Sequence, residues 1–176
     1  MPSHQYIALD GGPRRRVVAV DLGYSENARS CGVAWSGCED PCHKRFGAAM
    51  PYVAAILNQH PNAVLVLEAA LSTFHNPAGN PCLRGEFERG RGWYWGPGAS
   101  STLAAQRFLS ELAELLRQPV LLAEAFLSNK KQRTRHGDDA DTIVRRFWDV
   151  RPETLTPGVA PLLSIVKGSP SVRVFA

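Results

Sequence analysis

Val17-Val18-Ala19-Val20-Asp21-Leu22-Gly23 is the stretch on which the fold turns. Four apolar residues, three of them β-branched, read as a buried central strand, and Asp21 stands where that strand ends. Leu22-Gly23-Tyr24-Ser25 is a turn, and Cys31-Gly32-Val33-Ala34-Trp35-Ser36 is predicted to return as a second strand antiparallel to the first. A third, short strand is expected over Lys44 to Ala48.

Downstream the pattern changes. Pro51 to His60 suits an amphipathic helix with Val53, Ile56 and Leu57 at helical spacing, and Pro61-Asn62 stops it. Ala63-Val64-Leu65-Val66-Leu67 is a further buried strand, followed by Glu68. Ser100 or Ser101 caps a helix running to about Arg117, with an apolar stripe of Leu103, Phe108, Leu109, Leu112, Leu115 and Leu116. Val120-Leu121-Leu122-Ala123 is a strand that ends at Glu124, and a last helix opens at Asp138 and carries Ile143, Val144, Phe147 and Trp148. The tail is expected to close with a short strand over Val172 to Phe175.

The order β-β-β-α-β-α-β-α combines an early meander with parallel crossovers. It predicts an α/β domain with a mixed five-stranded sheet and helices on both faces. At 176 residues the chain fits one domain, here 1–176, with a loose N-terminal arm over 1–13 and an irregular Gly- and Pro-rich insertion over 71–99. The composition, 44% hydrophobic and 20% charged, is that of a globular protein. No apolar run reaches the ~18 residues a membrane helix needs, and residues 1–10 lack a basic stretch followed by an apolar one. A cytoplasmic protein without a membrane partner is therefore expected. Cys38, Cys42 and His43 crowd one loop, but Cys-x3-Cys-His has no convincing second pair, so zinc is not expected.

The acids carry the functional signal. Asp21, Glu68 and Glu124 each follow an apolar strand, the usual site position in α/β sheets, and Asp138, Asp139 and Asp141 open the last helix. Asp138 and Asp141, three apart, share a helix face. Carboxylates gathered together repel unless cations hold them, and Mg²⁺ and Mn²⁺ prefer oxygen ligands.

With these pieces in place the chain resembles the ribonuclease H-like superfamily over residues 16–148. The likeness lies in strand–Asp–turn–strand (Val17 to Gly23, then Gly32-Val33-Ala34-Trp35), in Leu65-Val66-Leu67-Glu68, and in Asp138-Asp139-Ala140-Asp141-Thr142-Ile143. The last piece is most similar to RuvC-type Holliday-junction resolvases and related predicted nucleases. The resemblance implies a nuclease that cleaves phosphodiester bonds in DNA or RNA with two Mg²⁺ or Mn²⁺ ions held by Asp21, Glu68, Asp138 and Asp141. Glu124 matches a strand-end acid of some branches, not of RuvC proper, and the 71–99 insertion matches no resolvase pattern. Two rivals are a catalytically inactive nucleic-acid-binding or scaffold protein of the same fold and an actin-like phosphotransferase, whose phosphate turn Asp21-Leu22-Gly23-Tyr24-Ser25 is similar to. The second normally needs a duplicated domain, for which 176 residues leave no room.

Basic groups supply the nucleic-acid expectation. The formal net charge is +4, and Arg accounts for most of the 20 cations; its planar fork suits phosphate. The insertion carries Arg84, Arg89, Arg91, Trp93 and Trp95, which offer phosphate contacts and base-stacking surfaces. Lys130, Lys131, Arg133 and Arg135 form a run with no acid between Ala125 and Gly137, followed by His136, which could orient a water. The oligomeric state is left open, a dimer included.

This charge pattern makes a prediction. Replacing Lys130, Lys131, Arg133 and Arg135 by Ala should weaken nucleic-acid binding for all sequences alike. It should flatten the log–log salt dependence by about one unit per lost phosphate contact. Replacing Trp93 and Trp95 should instead weaken single-stranded ligands preferentially, by roughly 1–3 kcal/mol per stacked base. Fluorescence-anisotropy titrations at several salt concentrations check both.

Overall fold

A computed structural model describes residues 15–69, 71, 97–125, 134–147 and 163–165. Its strands are β1 (Val17–Asp21), β2 (Cys31–Trp35), β3 (Cys42–Lys44), β4 (Val64–Glu68), β5 (Val120–Glu124) and β6 (Leu163–Ile165). Its helices are α1 (Phe46–Gln59), α2 (Pro97–Leu115) and α3 (His136–Arg146). The sheet runs β3-β2-β1-β4-β5-β6. β1 pairs antiparallel with β2 and parallel with β4, β4 is parallel to β5, and β3 and β6 join antiparallel at the two edges.

Five strands appear in the expected order, β1 to β5 interleaved with α1 to α3. The sixth, β6, is an addition to the expected order; the expected strand over 172–175 and the arm over 1–13 lie outside the described residues. β3 lies at Cys42–Lys44 instead of 44–48, because α1 starts earlier than Pro51. The cause is tertiary. A carboxylate oxygen of Glu26, in the β1–β2 loop, accepts the Gly47 N–H at 3.1 Å, and the Ser25 carbonyl accepts the Phe46 N–H. These satisfy first-turn donors that no local side chain caps, and Pro51 falls inside the helix.

Strand alternation sorts the core into two layers. Val18, Val20, Val33, Leu65, Leu67 and Leu122 face α1 and α2, where Phe46, Leu57, Phe108, Leu109 and Leu112 pack. Phe46 and Phe108 meet edge to face at 6.1 Å and join the two helices. Val17, Ala19, Ala34, Val64, Val66 and Ala123 face α3, meeting Ala140 and Ile143. Helices thus cover both faces. No helix among the described residues is long and apolar enough to cross a membrane.

α3 comes very close to the sheet at β2. A side-chain carbon on Gly32 would coincide with the His136 carbonyl and the Gly137 amide. Gly32→Ala should therefore displace the start of α3 and destabilise the fold by about 1–3 kcal/mol, the usual cost of overpacking. Thermal unfolding followed by circular dichroism measures it; an unchanged Tm would mean that α3 does not sit on Gly32.

Candidate metal centre

Register brings the first two acids together. Asp21 pairs with Glu68 across parallel strands, so both side chains leave the same face at the carboxyl end of the sheet. That face is the one α3 covers, and α3 supplies the third acid. Donor oxygens of Asp21, Glu68 and Asp139 all lie within 4.8 Å of one another. Asp21 and Asp139 are buried, and Glu68 is half-buried.

Asp21 and Asp139 are held by neighbours on and beside α3. The imidazole Nδ1 of His136 lies 2.8 Å from Asp21 Oδ2, with the ring about half exposed. The Thr134 hydroxyl donates to Asp139 Oδ1 at 2.7 Å, and the Asp139 N–H donates to the Arg135 carbonyl. Ionised carboxylates at this spacing repel by roughly 3 kcal/mol per pair at an effective dielectric constant near 20. One imidazole and one hydroxyl offset part of that. The three acids could hold a metal ion, which would remove the rest.

The helical pair named from the sequence is not the one that joins this cluster. Asp138 is exposed, and Asp141 Oδ2 is 2.7 Å from Arg145 Nε, one turn on. α3 begins at His136, not at Asp138, and its inward stripe is His136, Asp139, Ala140 and Ile143. Asp139 lies four residues before Ile143, on the apolar stripe, which is the signal that distinguishes it from its neighbours. Asp138 and Asp141 fall on the far side of the helix.

Glu124 also departs from the expected set. It is paired with Leu67, one residue short of Glu68, and alternation directs it to the α1–α2 face. Its carboxylate is buried and accepts the Leu71 N–H at 2.8 Å, fixing the chain as it leaves β4. Of the expected nucleic-acid contacts, Arg135 is exposed immediately before His136. Arg84, Arg89, Arg91, Trp93, Trp95, Lys130, Lys131 and Arg133 lie outside the described residues, as does most of the 71–99 insertion. Within the Cys38–His43 loop, Cys42 pairs with Val33 and packs on the α1–α2 side, whereas the His43 ring meets Gly137 of α3.

Compared with protein-family models, with curated proteins and with solved structures, the chain matches none.

Beside the cluster, Cys31 is a buried thiol whose sulfur lies 3.2 Å from the Gly23 carbonyl. Burial pushes its pKa from 9.0 up to about 11, and the charge of Asp21 adds to the shift. An unfolded thiol gives up its proton near 9.0, while the folded one holds it to about 11. The stability conferred by burying the neutral thiol is therefore complete below pH 9.0 and lost as the pH rises toward 11. In the native protein at pH 8 Cys31 should resist alkylation by iodoacetamide, and Cys31→Ala should flatten the fall in Tm above pH 9. Peptide mass spectrometry and alkaline melting curves test the two halves.

Proposed function

We propose that the protein is a divalent-metal-dependent phosphodiesterase acting on nucleic acid. The observation that carries this reading is the convergence of Asp21, Glu68 and Asp139 within 4.8 Å, although 47 and 71 residues separate Glu68 from its two partners in sequence. The element order β-β-β-α-β-α-β-α and the strand–Asp and strand–Glu positions support the ribonuclease H-like resemblance from which the activity was expected.

The donor set suits Mg²⁺ or Mn²⁺, being all carboxylate oxygen at its centre. Bound ions of this kind supply positive charge to a phosphoryl group and lower the pKa of water. The protein's own groups do the rest. Asp21, Glu68 and Asp139 would supply the oxygen ligands. His136 holds one Asp21 oxygen at 2.8 Å. Thr134 keeps Asp139 in one orientation. Arg135, exposed at the start of α3, offers a phosphate contact beside the acids.

The experiment compares Asp139→Asn with Asp141→Asn. Asn keeps the shape and removes the charge. Asp139→Asn and Asp21→Asn should abolish Mn²⁺-dependent cleavage of a panel of single-stranded, duplex and branched DNA and RNA and weaken Mn²⁺ binding at least tenfold, a loss of about 1.4 kcal/mol or more. Asp141→Asn should retain most of both. Calorimetric Mn²⁺ binding without cleavage of any substrate would favour a binding protein of the same fold. Equal cleavage by all variants would trace to a contaminant.

A further inference from the structure

The acids belong to a longer row. His43 on β3 pairs with Gly32, Gly32 with Asp21, and Asp21 with Glu68. Register partners share a face, so His43, Asp21 and Glu68 stand in one line across four strands, with Gly32 the gap between His43 and Asp21. Two strand spacings, about 9–10 Å, separate those two residues. The first turn of α3 fills the gap. Its His136 and Gly137 backbone takes the place of a Gly32 side chain, and the His136 ring meets Asp21 on one side. On the other side Gly137 presses on His43: a carbon added at Gly137 would lie 2.8 Å from His43 Nε2 and 3.0 Å from Cε1.

The His43 ring acts here by shape. Its Nδ1 is buried and makes no hydrogen bond among the described residues, which costs free energy, so a hydrogen bond from that nitrogen does not explain the placement of the ring. The steric contact with Gly137 is what remains. Ala140 and Ile143 anchor α3 inward and His136 ties its first turn to Asp21, but neither contact sterically blocks the turn from sliding along the row toward the sheet edge. A ring standing at that edge does.

We infer that His43 is a positioning residue for the candidate metal centre: it is the outer stop for the first turn of α3 and thereby holds His136 and Asp139 against Asp21. This rests on the metal-centre reading above. His43 touches neither metal nor substrate. Removing the ring frees the turn to move outward, separating Asp139 from Asp21 and Glu68. Adding a methyl at Gly137 pushes the turn inward against the same ring. Removing the ring and adding the methyl together fills part of the space that the ring left.

The test is a set of four full-length proteins: wild type, His43→Ala, Gly137→Ala and the double variant. Each is titrated with Mn²⁺ by calorimetry, and α3 amide exchange is followed by mass spectrometry. Each single variant should bind Mn²⁺ about tenfold more weakly, and the double variant should return to within about threefold of wild type. Exchange at Asp139 to Ile143 should accelerate in the singles and recover in the double. His43→Ala with wild-type affinity and unchanged α3 exchange would overturn the inference. A destabilised residue with no part in positioning would lower the Tm without moving the affinity of the folded protein, which also overturns it. Should His43→Ala fail to fold, Gly137→Ala probes the same contact and must weaken binding. Absence of Mn²⁺ binding in the wild type would instead remove the metal-centre reading, and α3 exchange alone would then decide whether His43 holds the helix.

Discussion

The whole site depends on a helix backbone occupying the volume of a missing side chain. Gly32 lies in register between Asp21 and His43, and the peptide joining His136 to Gly137 sits where its Cβ would be. Aspartate side chains are short, so Asp139 on a helix and Asp21 on a strand meet only if helix and sheet come closer than large residues permit. Any residue other than glycine at position 32 would lift the start of α3 and take Asp139 out of reach. The carboxylates could hold a metal ion, but a residue with no side chain sets the distance between them.

Burying charge has to be offset. Asp21 and Asp139 are 5% and 4% exposed, and isolated buried carboxylates are strongly unfavourable. Glu124, at 3%, is equally buried on the opposite face. Glu124 has a structural answer in the buried Leu71 amide, so its burial serves the path of the chain leaving β4. Asp21, Glu68 and Asp139 gather instead of separating. Three acids brought this close together could hold a metal ion, which would offset their mutual repulsion.

What was legible in the sequence follows a physical divide. The β1, β4 and β5 strands announce themselves as continuous apolar runs because each is buried on both faces. Asp21 and Glu68 were readable for the same reason, as the acids at which such runs stop. The misassignments concern phase. Glu124 also ends a strand, but β4 and β5 pair one residue out of step with their acids, and no single strand shows its register. Asp138 and Asp141 are the pair that the resemblance and the three-residue spacing favour, but Asp139 is the acid in phase with Ala140 and Ile143; at 100° per residue Asp138 and Asp141 both point away from that stripe. α1 was begun at Pro51, since Glu26, the group that caps its true start, lies far away in sequence.

The two faces of the sheet divide the labour. Against α1 and α2 the core is built of Leu, Ile, Met and Phe, whose bulk supplies most of the buried apolar area. Against α3 the fully buried sheet residues are Val17, Ala19, Ala34, Val64, Val66 and Ala123, met by Ala140 and Ile143, with the larger Leu121, Val144 and Phe147 packed around them. A layer of small side chains contributes less hydrophobic stabilisation, but it lets the helix lie close enough for carboxylates to converge. Larger residues there would gain buried area while wedging α3 away, so stability and site geometry pull in opposite directions on this face. The large core on the α1–α2 face makes the thin one affordable: the fold is secured on one side of the sheet, which leaves the other free to be shaped by the distance that three acids require.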